Sequence, residues 1–109
     1  MKLQELAEKL ELKAVTKIYD RDVTGVYISD MVSDVIANAK AGNLLVTVQI
    51  HSNMIAATNL VDVGAIVVTN GKLPSGDVVK MAEKAEITIF STTLDRWKIA
   101  TGLYEVGIR

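Results

Sequence analysis

The sequence predicts an α/β fold, a three-layer α/β/α sandwich around a mostly parallel sheet. Three observations carry this. Short runs such as Ile66-Val67-Val68 are apolar on consecutive residues, as in strands covered on both faces. Segments with apolar residues at helical spacing alternate with those runs, and Ser, Thr, Asp, Asn, Gly or Pro stand at the junctions. With 109 residues, the chain fits one domain, 1–109, because a separate hydrophobic core needs roughly 100 residues.

The elements follow in order. Leu3, Leu6, Ala7, Leu10 and Leu12 lie near helical spacing opposite Glu5, Glu8, Lys9 and Glu11, which predicts an amphipathic helix over 3–12. The βα units follow over about 13–106. Ala14, Val15, Ile18 and Tyr19 mark a first strand over 13–19, and Asp20-Arg21-Asp22 a charged turn. Gly25 to Ile28 is a second strand. Ser29-Asp30 suits a helix N-cap, and Met31, Val32, Val35, Ile36 and Ala39 continue at helical spacing until Gly42-Asn43.

From there the alternation is regular. Leu44 to Ile50 reads as a strand, Asn53 caps a helix through Leu60, and Ala65 to Val68 is the next strand. Pro74-Ser75-Gly76 opens a helix through Lys84, and Ile87 to Phe90 is the last strand. Ser91-Thr92-Thr93 leads a final helix to about Tyr104, with Thr92 and Asp95 at the spacing of a capping box.

Composition removes several function classes. There is no cysteine and one histidine, so thiolate metal sites and imidazole clusters are excluded. A net charge of -1, with scattered Lys and Arg, offers no field for a phosphate backbone, and no nucleic-acid role is expected. No apolar run approaches the roughly 20 residues of a membrane span, and the charged opening segment is unlike a signal peptide. No membrane association and a cytoplasmic location are therefore expected.

In parallel α/β sheets, ligands sit beyond the carboxyl ends of the strands, where loops and helix N-termini converge. Three segments occupy that position: His51-Ser52-Asn53, Thr69-Asn70-Gly71 and Ser91-Thr92-Thr93. The candidate ligand-binding residues are His51, Asn53, Thr69, Asn70, Gly71, Ser91 and Thr92. Their imidazole, carboxamides and hydroxyls suit hydrogen bonding to a small anionic or nucleotide-like ligand. Each also has a structural reading. Asn53, Ser91 and Thr92 are good helix caps, Asn70-Gly71 is a common turn pair, and His51 can close a strand.

Catalytic machinery is missing. The sequence contains no G-x-x-x-x-G-K-S/T loop, no G-x-G-x-x-G and no G-x-S-x-G elbow. Asp20, Asp22, Asp30 and Asp34 are the densest acidic group, but they lack the spacing of a calcium loop, so neither a metal nor a cofactor is expected.

Val23 to Tyr104 resembles a DRTGG domain, in particular its short stand-alone kind. The resemblance rests on Thr24-Gly25-Val26-Tyr27, on Ser29 to Val35, on Val46 to Asn53, on Ile55-Ala56-Ala57, on Ile66 to Gly71 and on Ile89-Phe90-Ser91-Thr92. It implies an α/β fold similar to the N-terminal domain of HPr kinase/phosphorylase, and to regulatory domains of some phosphotransacetylases and CBS-domain proteins. The kinase domain of the first relative has no counterpart here. The signature departs from the family's own: His51-Ser52-Asn53 replaces Asp-Arg-Thr, and Thr-Gly-Gly becomes Thr69-Asn70-Gly71. No family role is carried onto Asp20-Arg21, which lies in another loop.

The reading that follows is a non-catalytic regulatory or ligand-sensing module that works through a partner protein or as a homodimer. A ligand-free interaction protein is the alternative, because the last helix carries Leu94, Trp97, Ala100 and Tyr104 on one stripe with Ile99 and Leu103 beside it. The third reading is a small enzyme with His51 as acid or base, for which the sequence names no second catalytic group.

Overall fold

A computed structural model describes residues 1–109. Five helices, α1 (Leu3–Leu10), α2 (Val32–Asn38), α3 (Ser52–Val61), α4 (Gly76–Lys84) and α5 (Arg96–Glu105), surround five strands. These are β1 (Lys13–Ala14), β2 (Val26–Ile28), β3 (Leu44–Thr47), β4 (Ala65–Val68) and β5 (Ile89–Ser91), in the sheet order β1-β5-β4-β3-β2. The strands from β2 to β5 run parallel, and β1 lies antiparallel on the β5 edge.

The layers follow from handedness. Each parallel strand is laid down beside its predecessor in one direction, so right-handed crossovers put α2, α3 and α4 on one face. Leu45, Ile66, Val68 and Ile89 point to that face and pack with Val35, Met54, Ile55, Val78 and Ala82. The alternate residues Leu44, Val46, Ala65, Val67 and Phe90 point the other way, where α1 and α5 supply Leu3, Leu6, Ile99 and Leu103. Every residue of β3, β4 and β5 is buried, as two-sided coverage requires.

Several expected elements change extent for physical reasons. The opening helix ends at Leu10 rather than Leu12, because Glu11 turns left-handed at φ 54°. The first strand keeps only Lys13 and Ala14. Beyond them the chain still follows β5, and after a last backbone bond from the Val15 N–H to the Ile89 carbonyl hydroxyls take over: the Ile89 N–H donates to Thr16 Oγ1, and the Tyr19 N–H to Thr88 Oγ1, each at 2.9 Å. The strand expected to reach Ile50 stops at Thr47, and the last strand is shifted toward Ser91.

The helix starts are corrected too. Ser75 caps α4 as expected, accepting from the Val78 N–H. Helix α5 is capped by Asp95, which accepts from the Lys98 N–H at 2.8 Å, and Thr92 instead accepts from the Leu94 N–H. The capping box read from Thr92 and Asp95 does not form, because Thr92 sits a turn too early and is buried beside β5. Asn53 lies inside the first turn of α3 rather than capping it, and His51 holds the cap position without a side-chain bond. Neither Ser29 nor Asp30 is the cap residue of α2; that position is Met31.

Candidate functional site

The carboxyl edge of the sheet gathers the exits of β2, β3, β4 and β5. Helix α4 leaves β4 toward one face and α5 leaves β5 toward the other, so neighbouring loops diverge between these two strands. Divergence of this kind is where crevices open in α/β sheets. Thr69-Asn70-Gly71 and Ser91-Thr92-Thr93 flank this point.

Here the two loops are joined rather than parted. The Thr92 N–H donates to the Val68 carbonyl at 3.0 Å, Gly71 N–H to the Thr92 carbonyl at 2.9 Å, and Asn70 N–H to the Leu94 carbonyl at 2.9 Å. Asn70 and Gly71 hold left-handed φ of 61° and 68°, which turns both N–H groups toward the β5 exit. Thr69 is buried, and its hydroxyl donates to the Thr47 carbonyl at 3.4 Å. Ser91 and Thr92 are buried as well, whereas Asn70 and Gly71 are exposed.

His51 and Asn53 sit one strand away, at the start of α3, and both are exposed. The structure therefore brings Thr69, Asn70, Gly71, Ser91 and Thr92 together at the β4–β5 junction and places His51 and Asn53 on the same edge beyond β3. No enclosed cavity forms among them: four shallow surface depressions exist, all lined by other residues. Exposed polar groups remain on this edge, namely the His51 imidazole and the Asn53 and Asn70 carboxamides.

An acidic junction that local reasoning assigned to capping lies beside them. The Asp30 carboxylate accepts from the Val48 N–H and the Thr47 hydroxyl, both at 2.8 Å, and from the Arg96 guanidinium at 2.6 Å. Partial burial opposes its ionisation, but the Val48 N–H, the Thr47 hydroxyl and Arg96 outweigh that and hold the carboxyl below the usual aspartate range. Asp34 is lowered mainly by the Tyr27 hydroxyl, which donates to it at 2.7 Å. Asp20 and Asp22 pair with Lys2. The four aspartates thus divide among Lys2, Tyr27 and Arg96, and no group of three or more metal-ligating side chains is assembled. No helix is long and apolar enough to cross a membrane.

Arg96 and Thr47 were not among the residues singled out in the sequence, and Asp30 was read there only as a cap and as a member of an acidic group. No local spacing could have found them, since Asp30 and Arg96 are 66 positions apart.

Comparison with known proteins places this architecture. No curated protein matches the sequence. Among solved structures, the chain is similar to the crystal structure of the CBS and DRTGG domains of the regulatory region of Clostridium perfringens pyrophosphatase, complexed with its activator diadenosine tetraphosphate. The TM-score is 0.69 at 18% identity, covering 91% of this chain and 44% of that one. The chain thus spans less than half of that regulatory region, and the likeness concerns the fold. The model of the DRTGG domain matches residues 5–106, nearly the whole chain, so this protein belongs to the DRTGG domain family.

Proposed function

We propose that this DRTGG domain is a non-catalytic regulatory module whose carboxyl sheet edge recognises a small anionic or nucleotide-like ligand. The observation that carries the reading is the divergence of α4 and α5 between β4 and β5, with the exposed His51, Asn53 and Asn70 side chains along that edge. At the start of α3, no side chain caps the helix, and the Ser52 and Asn53 N–H groups have no backbone acceptor. Such groups favour negative charge. Arg96, held at the same edge by Asp30, adds a cation. The regulatory region of the similar pyrophosphatase is complexed with a nucleotide activator, which supports the same ligand class here.

The edge has donors for a ligand but no nucleophile with a base beside it, so binding is the chemistry it suits. The test is thermal unfolding of the wild type, His51→Ala and Asn53→Ala with mononucleotides, diadenosine tetraphosphate and phosphorylated metabolites. A ligand at about one hundred times its Kd adds about 2.7 kcal/mol of stability. The expected result is a shift in the wild type that both variants reduce. An unchanged shift in both variants would move the site elsewhere, and no shift with any compound would overturn the ligand class.

A further inference from the structure

Helix α5 carries an outward face that the fold of one chain leaves uncovered. Ile99 and Leu103 are buried against α1 and the sheet, whereas Trp97 is 76% exposed and Tyr104 59%. The two aromatics stand two helical turns apart on one side of the helix, separated by about 10 Å. The smaller Ala100 and Thr101 lie between them, and together with Glu105 these residues line a single shallow groove. The Arg109 guanidinium lies 4.1 Å from the Tyr104 ring centroid and supports that ring from one side. Tryptophan and tyrosine are residue types concentrated at the centres of protein interfaces.

We propose that this groove receives α5 of a second copy of the chain, packed antiparallel, to form a two-fold dimer through Trp97 and Tyr104. A two-fold interface sets one patch against itself, so the patch must be self-complementary. An axis passing midway between Ala100 and Thr101 meets that condition. It sets Trp97 against the partner's Tyr104 and Ala100 against the partner's Thr101, with small residues at the centre where the helices approach. The charges select the direction. Lys98 and Glu105 share one flank of the groove at opposite ends, and Arg96 lies on the other flank. In an antiparallel pair like flanks meet, which brings Lys98 to the partner's Glu105 on both sides of the axis. A parallel pair would bring Lys98 to the partner's Arg96, two like charges. This inference stands apart from the ligand reading, since the residues that would pack across the axis, Trp97, Ala100, Thr101 and Tyr104, are none of those proposed to contact a ligand, and Arg96 enters only against the parallel pairing.

Sedimentation of the full chain from about 1 μM to about 500 μM tests it, with fluorescence as a parallel signal. Trp97 is the only tryptophan, so its emission reports this face alone. The expected result is a dimer fraction that rises with concentration together with a blue shift of the emission. Trp97→Ala, a change at an exposed position, should remove the dimer while the fold is kept. Lys98→Glu should weaken association about threefold to tenfold, and Lys98→Glu with Glu105→Lys should restore it. Both reversals put the charge that the helix dipole favours at each end, so a loss of dimer would not reflect a damaged helix. A monomer at every concentration overturns the proposal and leaves the groove to a different protein. A dimer indifferent to Trp97→Ala, or a double reversal that fails to restore association, overturns it as well.

Discussion

The Asp30 carboxylate meets the Arg96 guanidinium at 2.6 Å, joining the exit of β2 to the first turn of α5. The same carboxylate accepts from Thr47 and Val48, so one acid ties three segments of the carboxyl edge. Removing the acid and removing the base are not equivalent. Asp30→Ala leaves the Val48 N–H without an acceptor, while the Thr47 hydroxyl keeps the Gln49 carbonyl at 3.0 Å, and should cost about 1–3 kcal/mol. Arg96→Ala removes a partly exposed ion pair and should cost no more than about 1 kcal/mol. Urea unfolding of the two variants checks the order, and an Arg96 variant weaker than the Asp30 variant would contradict this account of the junction.

Acid should act on the same junction. The carboxyls of Asp30 and Asp34 are both lowered in the folded chain, so the folded state takes up their protons less readily than the unfolded chain does. Their contribution is complete above the ordinary aspartate value of about 3.9 and is lost as pH falls through the lowered folded values. Stability measured from neutral pH down to about pH 2 should therefore fall in the acid range, and the gap between wild type and Asp30→Asn should narrow there. A gap that stays constant with pH would show that Asp30 acts only by shape.

The N-cap of α5 separates two readings of one short motif. Asp95→Ala should cost about 1 kcal/mol, and Asp95→Asn much less, since either an aspartate or an asparagine oxygen can accept the Lys98 N–H. Thermal unfolding of the two variants provides the comparison.

Gly64 offers a test of packing at the start of β4. A Cβ there would lie 2.9 Å from the Gly42 carbonyl oxygen and 3.3 Å from that of Asp22, both backbone atoms that cannot swing away. Gly64→Ala should destabilise the fold by about 1–3 kcal/mol. Gly76→Ala, where nothing lies near the added atom, should be far milder.

What local pattern could show, it showed well at the centre of the chain. Ala65 to Val68 and the Ser75 cap of α4 are read off residue by residue, because consecutive burial and a capping hydroxyl are local properties. The edges were harder to read. Ala14 to Tyr19 has the composition of a strand, yet Thr16 and Thr88 supply competing hydroxyl acceptors from distant positions and end the ladder early. At the candidate site, the strand-end location of the seven residues is legible in sequence. The hydrogen bonds that join the Asn70 and Gly71 N–H groups to the β5 exit are not, since they depend on how the two loops pack.

By itself, the sequence determined the fold class, the run of helices and strands and the burial of β3, β4 and β5 on both faces, because apolar periodicity encodes which sides of an element meet water. The tertiary structure alone decided that α1 and α5 share the face opposite α2, α3 and α4, and that β1 pairs antiparallel with β5. It also decided that Asp30 serves Thr47, Val48 and Arg96 rather than capping its own helix. An aspartate at a helix start has a local acceptor role open to it, and only folding brings distant donors close enough to compete for the same carboxylate.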